Sequence, residues 1–320
     1  MSGKDGRLAT LQYILKRLFL MIPTFFLVMI IIFVLVRFLP GDPAIAIAGD
    51  RASNADLEAI RERLGLNEPM LVQFWLFLTN TIQGDLGRSI LMRAPVTEVI
   101  FNRLPTTAFL TLYAVGLSLL IAGPLAFVAA LNRGRWPDAL IRTVFQVGLS
   151  MPVFYIGLIL LTFLAAQLRW FPVGGYGDTF AERLYNLFLP SVSVALYTSA
   201  IIMRNLRSAI IEVLDAEYVQ FARAKGIPNR LILGRHVLRN ALISTVTLLG
   251  LSIGNMMSGT LVTETVFAVP GVGRLMLEAI FARDYPLIQG LTLTFAVLVS
   301  VVFLLTDLFQ STLDPRMRLK

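Results

Sequence analysis

The chain has 320 residues, 56% hydrophobic and only 15% charged, with a mean hydropathy of +0.74. Soluble domains carry about a quarter charged residues, so composition excludes that class and indicates an integral membrane protein. The formal charge of +8 comes without the interleaved exposed aromatics of a nucleic-acid groove, and the absence of cysteine excludes disulfide frameworks, thiolate nucleophiles and cysteine metal sites.

Six apolar stretches are long enough to cross roughly 30 Å of hydrocarbon as helices. They cover 18–36, 108–131, 144–168, 187–203, 241–262 and 291–306. Lipid offers no partner to a free backbone N–H or C=O, so the spans are helical and the fold class is all-α, polytopic. The first stretch is about nineteen residues long and leads into Arg37-Phe-Leu-Pro-Gly-Asp-Pro43, so it reads as a retained span rather than a cleaved signal peptide.

Charge sets the expected orientation. The tail 1–17, the loops 132–143 and 204–240 and the tail 307–320 together hold seventeen Lys and Arg, against eleven for the segments between. Both termini are therefore expected on the cytoplasmic side. The long loop 37–103 is then extracytoplasmic. Within it Ser53-Asn-Ala-Asp56 has the form of a capping box opening a helix through Leu64 that Gly65 closes. A second helical run covers 70–82. This loop is expected to pack on the spans as a lid, with a substrate or partner contact left open.

Within the spans, Pro124, Pro152 and Pro190 each remove a hydrogen bond and permit a kink. In the fifth span Gly250, Gly254 and Ser258 repeat every four residues, a small-residue face for close helix packing. Ser252, Asn255 and Gly259 fall on a neighbouring face. An amide in hydrocarbon needs a partner or water, so Asn255 either lines an aqueous path or hydrogen-bonds to another helix.

The only histidine is His236, and no G-x-x-x-x-G-K-[ST] occurs, so neither a catalytic triad, a histidine metal site nor a P-loop can be built from this chain. The chain is not expected to be an enzyme. Between the fourth and fifth spans lies Glu217-Tyr-Val-Gln-Phe-Ala-Arg-Ala-Lys-Gly226. Tyr218, Phe221, Ala222 and Lys225 fall at i, i+3, i+4 and i+7, one mainly apolar stripe, bordered by Glu217, Gln220 and Arg223. Gly226 and Pro228 end the helix. Such a helix suits either a lipid surface or a groove in a cytoplasmic partner.

This run, continued by Arg235-His-Val-Leu-Arg-Asn-Ala-Leu242, resembles the cytoplasmic signature of binding-protein-dependent ABC importer permeases of the dipeptide/oligopeptide/nickel family. Similar family blocks occur at Leu39-Pro-Gly-Asp-Pro43, Gly84-Asp-Leu-Gly-Arg-Ser89, Val266-Phe-Ala-Val-Pro-Gly-Val-Gly-Arg274, Arg283-Asp-Tyr-Pro286 and Leu313-Asp-Pro-Arg316. The wider superfamily prefers alanines where Tyr218 and Val219 stand, and a later Leu-Pro where Arg239-Asn240 lies nearby.

The resemblance implies a type I importer permease of the bacterial inner membrane, paired with a homologous second permease, two cytoplasmic ATPases and an extracytoplasmic solute-binding protein. ATP and magnesium would reside on the ATPases, with no cofactor or metal in this chain. It also implies that 217–226 is the coupling helix, contacting an ATPase through Glu217, Tyr218, Phe221, Ala222, Arg223, Ala224, Lys225 and Gly226. Cargo is expected to be a peptide, with glutathione, a nickel chelate, an opine or a sugar as alternatives. A self-sufficient secondary transporter is the rival class. It would favour inverted repeats and ionisable groups at the membrane midplane, neither of which is clear in this sequence.

Overall fold

The computed structural model describes residues 3–38, 53–63, 65 and 67–313. Among them the secondary structure is helical, without strands apart from an isolated bridge between Arg88 and Pro95. Helix α1 (Gly3–Phe38) carries the apolar window Leu18–Leu35, and α2 (Asn54–Arg63) and α3 (Met70–Ile82) follow it. Then come α4 (Val96–Leu131), α5 (Trp136–Ser150) and α6 (Val153–Leu160), the last running on as a π-helical stretch, Leu161–Gln167. α7 (Phe180–Asn186) and α8 (Phe188–Asp215) lead to the short α9 (Glu217–Ala224). α10 (Asn229–Leu231), a π-helical stretch Ile232–Leu238, α11 (Arg239–Val266), α12 (Val272–Phe281) and α13 (Tyr285–Leu313) complete the chain.

Three of these helices are long and apolar enough to cross a membrane unbroken, and counting each bent pair as one span gives up to six. The six apolar stretches of the sequence fall one to each. The third is not a straight helix: α5 and α6 meet at 99°. Met151 is extended (φ −95°, ψ 133°) because the ring of Pro152 disfavours helical geometry in the residue before it. Pro124 passes through α4 without a break, and Pro190 sits in the first turn of α8, where no backbone N–H is needed. Just before it, α7 and α8 meet at 56°.

Packing is most extensive between α4 and α8. The small side chains of Ala122, Ala126 and Ala130 recur on one face of α4, are buried, and let the α8 backbone come close. Ile202, Met203, Leu206 and Ile210 of α8 fill the same core. In the loop region, Gly65 closes α2 with φ +64°, and Phe74 and Phe77 of α3 pack on Phe26 and Phe33 of α1 at centroid distances of 5.3–5.9 Å. The capping-box pattern at Ser53-Asn-Ala-Asp56 meets a helix beginning at Asn54, whereas Leu64 and the Leu39–Pro43 block lie outside the described residues.

One end of the bundle gathers the turn after α4, helix α9 and the C-terminal turns of α13. Gln310 Nε2 donates to Thr247 Oγ1 there. At the opposite end, two buried acids cap helices. Glu264, fully buried, accepts the Arg274 backbone N–H (2.8 Å) and the Thr107 hydroxyl (2.5 Å), while Thr107 Oγ1 accepts the Val272 N–H. These bonds satisfy the free N–H groups that open α12. Asp284, also fully buried, accepts the Ser89 hydroxyl (2.5 Å) and the Leu91 N–H (2.9 Å) on one oxygen and the Leu287 N–H on the other. Two of the sequence blocks, Gly84–Ser89 and Arg283–Pro286, are therefore one structural unit.

Candidate functional site

An eight-residue helix is not stable alone in water, so α9 must be anchored by the bundle. Ala216 precedes it in extended geometry (φ −68°, ψ 141°), Glu217 lies in its first turn and Arg223 in its last, both favourable to the helix dipole. Its end is closed by a glycine in left-handed geometry. Gly226 has φ +75°; its N–H donates to the Arg223 carbonyl (2.9 Å), and the Ile227 N–H donates to Ala222 (3.2 Å). That pair of bonds is a Schellman closure.

Two residues hold α9 down. Val219 is fully buried and Ala222 nearly so, both in the core shared with Ile210, Ile232 and Val237. Tyr218 (47% exposed) and Phe221 (62%) turn outward, as do Glu217, Gln220, Arg223, Ala224, Lys225 and Gly226. The single apolar stripe read from the sequence is thus divided: Ala222 belongs to the anchoring face and Tyr218, Phe221 and Lys225 to the presented one. The anchor Val219 was missed because the stripe was drawn through the two aromatic rings.

The presented face is partly ordered from below. Asn240 donates to the Tyr218 hydroxyl (2.9 Å), and the Lys225 ammonium stands 4.6 Å over the Phe221 ring. Gln220 Nε2 reaches back to the Asp215 carbonyl (3.2 Å), bracing the elbow between α8 and α9.

Helix α8 is itself clamped close to that elbow. Arg207 makes a bidentate pair with Asp138 of α5, Nε to Oδ1 at 2.7 Å and Nη2 to Oδ2 at 2.6 Å. Asp138 also accepts the Gly134 N–H and lies 3.3 Å from Arg142 Nε. Its side chain is 1% exposed and that of Arg207 is 17%. Planar charge-assisted pairs of this kind fix orientation as well as distance. Nearer the surface, Arg133 pairs with Asp215 at 2.8 Å.

The predicted residues of the fifth span divide differently. Gly250 lies against Thr306, and Gly254 against Phe303 and Val299, so both face α13. Ser252 is half-buried and Asn255 is exposed on α11. The side-chain surroundings of Ser258, Gly259 and His236 are outside the described residues.

A cavity of about 560 Å³ opens between α5 and α8, and neither Ser252 nor Asn255 lines it. Its wall includes Arg142, Gln146, Ser150 and Arg204. Sequence reading passed over these four, although Arg142, Gln146 and Ser150 recur every four residues, as one helical face requires.

The sequence matches two halves of one protein family: "Binding-prot-dependent transport system membrane comp, N-term" over residues 10–111 and "Binding-protein-dependent transport system inner membrane component" over residues 122–319. The chain belongs to this family of ABC importer permeases. It is accordingly an integral inner-membrane transport protein. The glutathione transport system permease protein GsiC of Pectobacterium atrosepticum is 38% identical over 310 residues, 97% of this chain and 100% of that protein. GsiC of Escherichia coli K12 is 36% identical over the same shares. Among solved structures, the inward-facing MetNI methionine ABC transporter superposes with a TM-score of 0.57 at 14% identity, covering 68% of this chain and 96% of that one. An amino acid ABC transporter determined with histidines gives 0.53 at 16%, covering 68% and 94%. At such identities these two likenesses speak for the type I importer fold alone.

Proposed function

We propose that this permease forms the membrane pathway of an ATP-driven importer for small peptides, glutathione among them. It pairs with a homologous second permease and receives cargo from an extracytoplasmic solute-binding protein. Two cytoplasmic ATPases hold the ATP and magnesium and hydrolyse the nucleotide; this chain contributes no catalytic group. Relatives named as glutathione permeases, similar over almost the whole chain, favour the peptide reading. The seventeen Lys and Arg of the segments 1–17, 132–143, 204–240 and 307–320 support a cytoplasmic placement of these segments and of both termini.

The observation that carries the mechanism is the division of α9. Val219 and Ala222 bind it to its own bundle, while Tyr218, Phe221 and the polar residues around them are exposed on the face turned to a partner's cleft. Closure of the ATPase pair pushes on that face, and the Arg207–Asp138 pair passes the movement from α8 to α5.

Gly226→Leu tests the assignment. A side chain at φ +75° strains the closure by about 1–2 kcal/mol, tilting the presented face without touching the core. The expected result, in proteoliposomes holding the complete complex, is preserved ATP hydrolysis with strongly reduced cargo uptake per ATP. Uptake at the wild-type rate by a normally assembled Gly226→Leu complex would refute the coupling role.

A further inference from the structure

Helix α5 sorts its side chains three ways. Asp138 and Phe145 are buried; Trp136, Leu140, Val144 and Val147 form an exposed apolar stripe. The third face carries Arg142, Gln146 and Ser150 and looks into the cavity shared with Arg204 of α8.

The charges in and behind this wall do not balance. The carboxylate of Asp138 is held by Arg207 through both oxygens and approached by Arg142, while Arg204 stands in the same wall without contact to it. Arg142 reaches it only through Nε, at 3.3 Å. Arg204 has no ion pair among the described residues, and neither has the Gln146 side chain a hydrogen bond there. A cavity of about 560 Å³ is within the usual range for small-molecule sites. We propose that Arg204 and Arg142, with Gln146 beside them, form an anion-binding station on the transport route that takes a carboxylate of the passing cargo.

This inference rests on the reading of the chain as a peptide permease. Two planar forks match a carboxylate, and their exposure keeps the grip weak, as a site that must release its ligand requires. The phosphate of an acidic lipid offers the same chemistry, so the test separates the two sources.

The chain has no cysteine, so Gln146→Cys introduces one reporter in this subunit. The complete complex, built with cysteine-free partner subunits, is placed in nanodiscs of phosphatidylcholine alone or with phosphatidylglycerol. It is then labelled with a sulfonate-bearing or a trimethylammonium-bearing methanethiosulfonate. The anionic reagent is expected to react roughly tenfold faster than the cationic one in both discs, and adding Arg204→Gln to abolish the preference. Equal rates in the parent would overturn the station.

Uptake of glutathione and of dialanine is then followed in the cysteine-free complex. Arg204→Gln should lower peptide taken up per ATP hydrolysed about tenfold, with Arg204→Lys recovering part. Undiminished uptake per ATP overturns the cargo role, and a deficit seen only with phosphatidylglycerol assigns the site to lipid and overturns it equally. A wild-type complex that hydrolyses ATP but imports neither peptide refutes the peptide reading itself, leaving the labelling ratio to decide the station.

Discussion

The two ends of the bundle use charged side chains in opposite ways. Away from α9, Glu264 and Asp284 are fully buried and spend their oxygens on nearby backbone N–H groups and on donors more than a hundred and fifty residues distant, Thr107 for the one and Ser89 and Leu91 for the other. Near α9 the charges are mostly exposed arginines and lysines, and the well-buried acid, Asp138, gives both oxygens to a guanidinium on another helix and accepts one backbone N–H, that of Gly134. An acid that caps a helix fixes the end of that helix in place. An acid paired to a side chain on another helix lets both move as a unit. The first arrangement suits a frame and the second a lever.

The largest effect expected from breaking this contrast is at Asp138. Asp138→Ala leaves Arg207 without its partner in a site that is mostly dry, which costs roughly 3–5 kcal/mol. Thermal unfolding of the detergent-solubilised complex should show that loss, together with lower uptake per ATP in the surviving fraction. The double variant Asp138→Ala/Arg207→Leu should recover much of the stability, because no charge is left unpaired, but little of the coupling. Equal recovery of both would mean that the pair only holds the fold.

A loss of a different kind, in stability without coupling, is expected at the opposite end. Asp284→Ala strands the Leu91 and Leu287 N–H groups and the Ser89 hydroxyl. Unsatisfied buried groups cost about 1–3 kcal/mol each, before water enters. The melting temperature should fall while uptake per ATP in the folded complex stays at the wild-type value. Uncoupling by Asp284→Ala would show that this end moves too, and the division into frame and lever would fail.

The sequence exposed what depends on local pattern and hid what depends on distant pairing. Apolar length alone located the six spans, and the run from Glu217 to Gly226 showed a short helix with a glycine stop. The four-residue spacing of Gly250 and Gly254 marked the face that α13 packs against. Nothing local distinguishes Glu264 from any other acid at the end of a span; its function appears only when Thr107 and the start of α12 are placed beside it. Arg207 and Asp138 are separated by sixty-nine residues, and their pairing appears only when α5 is laid against α8. On α9 the helical period was legible but its phase was not, because aromatic rings on an exposed face look in sequence like rings in a core.

The mildest test concerns the elbow. Arg133 and Asp215 make a 2.8 Å ion pair one residue before Ala216, yet their side chains are 60% and 66% exposed. Water and salt screen such a pair, and its worth is about 0–1 kcal/mol. Arg133→Gln should therefore leave both the melting curve and uptake per ATP close to wild type, because Gln220 and the buried Val219 still hold α9 against α8. A clear uncoupling, above all one that raised salt reproduces in the wild type, would move the lever's fulcrum from the buried Asp138 to this exposed pair.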